Sequence, residues 1–157
     1  MLLHPASLLI TAAVLLPNLI FLVFPPLNVN KYGKSADPLL FTIVERVGQV
    51  GSFVLPLFFS LTFSGGIVAV AWIVMGLALA FYYAGWARYI LRRRDYAFLF
   101  KSMLWIPVPM AICPVLYFLF SSVVLGSIYQ ALAAVVLGVG HITITAREHL
   151  RLKGASS

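Results

Sequence analysis

Few side chains able to do chemistry fall inside the apolar stretches of this chain, and they gather in one segment. Glu45, Gln49, Ser52 and Pro56 follow at spacings of four, three and four, so on a helix they share a face, with Gly48 beside them. Arg46 lies about 100° round that helix from Glu45. A carboxylate and an amide on one face, with a guanidinium next to them, can hold a proton, a cation or a small polar ligand. A charged residue deep in a membrane costs roughly 2.5 to 3.5 kcal/mol on the insertion scale, so Glu45 and Arg46 mark a candidate site by default. A structural reading stands beside it: Arg46 can snorkel toward headgroups, and Glu45 can pair with Arg88.

Other polar residues are expected at the same depth. Asn18 follows Pro17 near the end of the first apolar stretch, Tyr83 sits late in the third, and His141 sits late in the fifth. If they converge with Glu45 and Gln49, they form a polar pocket that opens toward the cytoplasm. Tyr82, Trp86 and Trp105 are equally well explained as an interfacial aromatic belt. No catalytic set is expected. His141 and His149 are about 12 Å apart along a helix, too far to share a metal. No zinc-hydrolase helix motif, nucleophile elbow or phosphate loop is found. Neither a metal nor a cofactor is therefore expected.

The elements that must position these groups follow from composition. The 157 residues are 62% hydrophobic and 10% charged, against about 45–50% and about 25% in ordinary soluble domains. A soluble chain of this length could not hide so much apolar surface. The net charge of +7 does not imply nucleic-acid binding, because the basic residues sit at the ends of apolar runs and not on a soluble face. Cys113, the single cysteine, allows no intrachain disulfide.

The pattern predicts an all-α integral membrane protein, a single domain over residues 1–157 with five transmembrane helices at about 5–24, 39–63, 67–91, 98–120 and 123–146. Residues 147–157 read as a polar, fraying tail. The N-terminal stretch lacks a basic leader and reads as a retained helix. Pro25-Pro26 closes the first helix. Asp37-Pro38 is expected to open the second, with Asp37 as N-cap. Ser64-Gly65-Gly66 divides the second from the third. The turn between the fourth and fifth is expected near Ser121-Ser122, with Gly126-Ser127 as the alternative.

Charge orients the bundle. Ten of the eleven Lys and Arg residues, all but Arg46, fall in the first loop, the third loop with its flanks, and the tail. Cytoplasmic segments carry such an excess, which predicts an N-terminus outside, a cytoplasmic C-terminus and a multi-pass inner-membrane location. Small and polar residues recur on one face of the fifth helix, at Gly126, Gln130, Ala134, Gly138, His141 and Thr145, as in membrane packing seams.

The functional expectation is a small polytopic membrane protein with ligand-binding residues Glu45, Arg46, Gln49, Asn18, Tyr83 and His141. It would bind a lipid-like or small ligand, or serve as an accessory subunit. The alternatives are a small transporter or channel for a proton, cation or polar solute, and a membrane-embedded enzyme. Expected partners are membrane lipids, with anionic headgroups near Arg92, Arg93 and Arg94, and a second copy of the chain or a membrane partner protein.

Overall fold

The computed structural model describes residues 3–29 and 37–154. Asn30, Lys31, Gly33, Lys34 and Ser35, most of the expected first loop, lie outside them, as does the end of the tail. Five α-helices are described: α1 (Leu8–Val23), α2 (Leu39–Val54), α3 (Gly66–Leu91), α4 (Pro109–Val124) and α5 (Ile128–Gly154). With their 3-10 extensions, four segments are long and apolar enough to cross a membrane: Pro5–Val23, Leu39–Phe58, Gly66–Leu91 and Ile128–Gly154. Pro109–Val124 is apolar but shorter. Leu9, Leu16, Leu40, Val47, Ile73, Leu77, Leu132 and Val139 are all exposed on outer helix faces, the arrangement that suits lipid and not water.

Prolines set several boundaries away from the expected ones. α2 stops at Val54 and tightens into a 3-10 turn, Leu55–Phe58, because Pro56 has no N–H to continue the ladder. The chain then runs extended from Phe59 and does not remain helical to residue 63. At its start, α2 has Pro38 in the cap position with no side-chain cap bond, so Asp37 is not the N-cap.

The fourth helix begins at Pro109 and not near residue 98. Pro107 and Pro109 withhold backbone donors, and Pro109 takes the first helical position, where its missing N–H costs nothing. The residues before it make a 3-10 turn, Tyr96–Leu99, capped by the Asp95 carboxylate, which accepts from the Ala97 N–H at 3.0 Å. A tight antiparallel turn between Met103 and Ile106 follows, with Leu104 at φ 53°.

The turn between α4 and α5 falls at Leu125, Gly126 and Ser127, the second of the two expected places, with Gly126 at φ 58°. α5 then continues through the expected tail as far as Gly154. Its 27 residues span about 40 Å, and the Arg151–Glu148 ion pair supports the last turn.

α5 packs against both α2 and α4, and α4 packs against α3. The α2–α5 crossing brings backbones into contact. A β-carbon at Gly48 would fall inside the Leu137 backbone, and one at Gly140 inside the Glu45 backbone. In lipid such close approach supplies much of the association energy, since apolar burial no longer distinguishes a partner helix from solvent.

α1 is attached differently. Its first half bonds to the end of the second helical segment: the His4 N–H donates to the Leu57 carbonyl (2.8 Å), Ser7 to that of Phe59 (2.6 Å) and Thr11 to that of Phe53 (2.9 Å). Its second half is held by α3 tyrosines. Tyr83 donates to the Ala13 carbonyl (2.9 Å), Tyr82 to the Asn18 amide oxygen, and Tyr89 to the Phe24 carbonyl (2.8 Å). α1 thus leans on α2 at one end and on α3 at the other, and a wedge separates it from the first half of α2.

Candidate functional site

That wedge opens into a cavity of about 580 Å³ lined by all five helices. α1 supplies Val14, Asn18 and Leu22, and α2 supplies Gln49 and Phe53. Tyr82 and Trp86 of α3 form the far wall, while α4 and α5 add Phe118, His141 and Thr145. Most of the lining is apolar, with a few polar atoms placed among it. This is the usual make-up of a small-molecule site, and the volume lies within the common range of about 300–1,000 Å³.

Each polar group is held by its own element. Tyr82 is buried and donates to Asn18 across the α1–α3 contact. The Trp86 indole N–H lies beside the Tyr82 hydroxyl without reaching good hydrogen-bond geometry. His141 reaches Glu45 through its ring nitrogen, Nδ1 to Oε1 at 2.5 Å. The carboxylate therefore fixes the imidazole and leaves the other ring nitrogen for a further partner. The Arg46 guanidinium donates to Gln49 Oε1 at 3.0 Å.

Of the residues expected from sequence, Asn18, Gln49 and His141 line this one cavity. Glu45 stands behind His141 and does not itself line the cavity. Its partner is His141 and not Arg88, which turns to the backbone carbonyls of Phe98, Lys101 and Ser102. Arg46 is exposed beside the mouth.

Tyr83 is the exception. Pro17 has no N–H, so the carbonyl of Ala13 four residues earlier loses its helical partner, and the Tyr83 hydroxyl replaces it. Tyr83 is thus engaged in helix repair, and its neighbour Tyr82 faces the cavity. The same logic places Gln130. Pro56 frees the Ser52 carbonyl, which lies 3.4 Å from the Gln130 amide nitrogen, and that nitrogen also donates to Ser121 Oγ at 3.1 Å.

Sequence reasoning missed the floor. Leu99 and Phe100, expected in a helix, close the cavity at the end where the 92–108 connection lies. That connection is pinned on three sides. Arg88 holds three of its carbonyls, at 2.6 to 3.3 Å. His149 Nδ1 donates to the Phe100 carbonyl at 2.7 Å. Asn28 donates to Asp95 at 3.0 Å and accepts from the Tyr96 N–H at 2.9 Å. Burial, with the Glu148 carboxylate beside it, pushes the Tyr96 hydroxyl up to about 12. The signal that could have located the floor was the pair Pro107 and Pro109, which breaks the ladder of any helix begun at residue 98 before it can run on into α4.

Among the described residues no group of three or more His, Cys, Asp or Glu side chains could hold a metal ion. No protein-family model, characterised protein or solved structure matches the chain significantly. What the geometry itself defines is a helical bundle with an internal, apolar-lined cavity.

Proposed function

We propose that this protein is a multi-pass membrane protein that admits a lipid-like amphiphile from the bilayer into the cavity between α1 and α2. All five helices cross the membrane, with the N-terminus outside and the basic C-terminal end in the cytoplasm. The observation that carries the reading is the cavity itself: about 580 Å³, apolar, with its few polar atoms at Asn18, Gln49, Tyr82, His141 and Thr145. It is reached past a helix that leans on α2 over its first half only. An apolar ligand partitions first into the bilayer, and a lateral wedge lets it pass from lipid to protein without crossing water. The closed floor at residues 99–100 leaves the lateral side as the route in.

The test is native mass spectrometry of the protein released from nanodiscs, beside Val14→Phe. Val14 is almost fully buried and lines the cavity, so the larger ring fills it from within. Retained small molecules in the wild type that vanish in Val14→Phe support the reading. A bare wild type, or unchanged retention in the variant, rejects it. The Glu45–His141 pair, a carboxylate and an imidazole able to exchange a proton, favours proton-linked transport as a second reading. Ligand-dependent acidification inside proteoliposomes, lost in Glu45→Gln, is its signature.

A further inference from the structure

Arg46 is the unexplained charge of this molecule. It is the one basic residue inside an apolar helix and outside the clusters at the helix ends, about 10 Å along α2 from Leu39. Its side chain is exposed, and its hydrogen bond goes to Gln49. The ion pairs of the described residues are His141–Glu45 and Arg151–Glu148, so Arg46 has no carboxylate within 4 Å among them and meets the charge of Glu45 only at longer range. Glu45 is adjacent in sequence, but it is turned about 100° away and its carboxylate is engaged by His141. A guanidinium at this depth is costly unless an anion or water meets it.

The position of Arg46 decides what meets it. Gln49, its partner, lines the cavity. Gln49 accepts from Arg46 through Oε1, which leaves its amide nitrogen, without a hydrogen-bond partner among the described residues, free to donate to a bound group. Arg46 retains further N–H donors in a planar fork suited to two oxygens of one carboxylate or phosphate. Inside the cavity no unpaired cation lines the wall. His141 brings its own compensating carboxylate, and the remaining lining is neutral. An anionic group would therefore be stabilised at the mouth and disfavoured in the interior, while an alkyl chain has the opposite preference.

We propose that Arg46 and Gln49 form a headgroup clasp, so that the ligand is an amphiphile with an anionic carboxylate or phosphate end and a hydrocarbon chain lying in the cavity. The clasp rests on the reading of the cavity as an amphiphile site and adds the charge of the ligand. The Arg46 fork and the Gln49 amide together hold the oxyanion, and the chain passes between α1 and α2 toward Trp86 and Phe118. A free anion gains the clasp but leaves the apolar cavity unfilled, and a fatty alcohol fills the cavity but leaves Arg46 unpaired.

The experiment uses the full chain in nanodiscs of zwitterionic phosphatidylcholine. Binding of palmitate, dodecyl phosphate, hexadecanol and inorganic phosphate is measured for the wild type, Arg46→Gln and Arg46→Lys. Palmitate and dodecyl phosphate should bind the wild type at least ten-fold more tightly than hexadecanol, and inorganic phosphate should not bind measurably. Arg46→Gln should lose that ten-fold preference while binding hexadecanol as the wild type does, which also reports an intact fold. Arg46→Lys should keep part of the preference, as a point charge without the fork. Unchanged palmitate affinity in Arg46→Gln overturns the clasp, and so does equal binding of hexadecanol and palmitate by the wild type; the cavity reading survives both. Binding of inorganic phosphate as tight as that of dodecyl phosphate also overturns it, because the site would then serve a free anion. If none of the three chain-bearing probes binds, the cavity reading falls together with the clasp.

Discussion

Gly140 lies against the backbone of Glu45 so closely that a β-carbon at residue 140 would fall well inside van der Waals contact with the Glu45 nitrogen and Cα. The next residue, His141, sets its Nδ1 2.5 Å from the Glu45 carboxylate. The two facts are linked, because an imidazole is short and reaches across only where the helices touch. Gly48 makes the reciprocal contact one turn along α2, against Leu137.

Gly140→Ala and Gly48→Ala should therefore each push α2 and α5 apart. Overpacking of this kind costs on the order of 1–3 kcal/mol, and here the clash is with backbone, which gives way less readily than a side chain. Thermal unfolding in detergent should show both variants lowered well below the wild type. A control, Gly76→Ala, has nothing within 4 Å of the added carbon and should be neutral or slightly stabilising as a helix substitution. Equal stability of all three variants would mean that the crossing is looser than described.

Tyr83 gives a sharper test, since two roles predict opposite results. As the replacement donor for the carbonyl freed by Pro17, its loss in Tyr83→Phe should cost about 1–3 kcal/mol, the penalty of an unsatisfied buried acceptor, and leave ligand retention unchanged. Adding Pro17→Ala supplies the missing N–H, so the double variant should recover much of the loss and the cycle should show coupling. Tyr82→Phe, which removes the hydroxyl bonded to Asn18 within the cavity, should alter ligand retention. If Tyr83→Phe abolishes retention at full stability, the roles assigned to the two tyrosines are reversed.

The contrast between Tyr82 and Tyr83 also marks how far the sequence reaches. Hydrophobic runs and their lengths locate five helices, and the four-three-four spacing from Glu45 to Pro56 places Gln49 and Ser52 on the face that turns inward. Local chemistry offers the turn at Gly126 only as the alternative to Ser121-Ser122, and those two serines lie inside α4. Adjacent tyrosines differ by about 100° on a helix, however, and which of them faces the cavity depends on how α3 is rotated against α1. That rotation is set by the contact of Tyr83 with a carbonyl 70 residues away. The Glu45–His141 pair is of the same kind: both residues are visible as candidates, but their meeting depends on helix order, which no local pattern encodes. The start of α4 could be read from Pro107 and Pro109, and the hydropathy of residues 98–106 obscured it.

Arg88 should control the floor of the cavity. Its guanidinium donates to the carbonyls of Phe98, Lys101 and Ser102, and residues 99–100 line the cavity through that fixed turn. Arg88→Ala should free the connection while leaving the helices in place. Amide exchange in residues 96–106 should speed up at least ten-fold, equivalent to about 1.4 kcal/mol of lost local protection, and trypsin should cut after Lys101 more readily. Unchanged exchange there would mean that His149 and Asn28 suffice to hold the turn.

Topology is decided by α4. Its 16 residues span about 24 Å, shorter than the roughly 30 Å of a hydrocarbon core, while the other four segments reach or exceed the length of a crossing. If α4 crosses, with Val108 and Leu125 extending its apolar length and the bilayer thinning to meet it, the chain crosses five times and its two ends lie on opposite sides. Arg88, Arg92, Arg93, Arg94, Lys101 and Arg147 then share the cytoplasmic face, as the positive-inside rule requires. If α4 does not cross, the 92–94 cluster and the end of α5 lie on opposite faces, and one basic group is exported against that rule. Reporters placed ahead of His4 and after Gly154 should therefore give opposite signals, a periplasmic phosphatase active at the first and a fluorescent protein at the second. Signals from the same side at both positions would reduce the crossings to four and put the 92–108 connection, with the cavity floor, on the face opposite the end of α5.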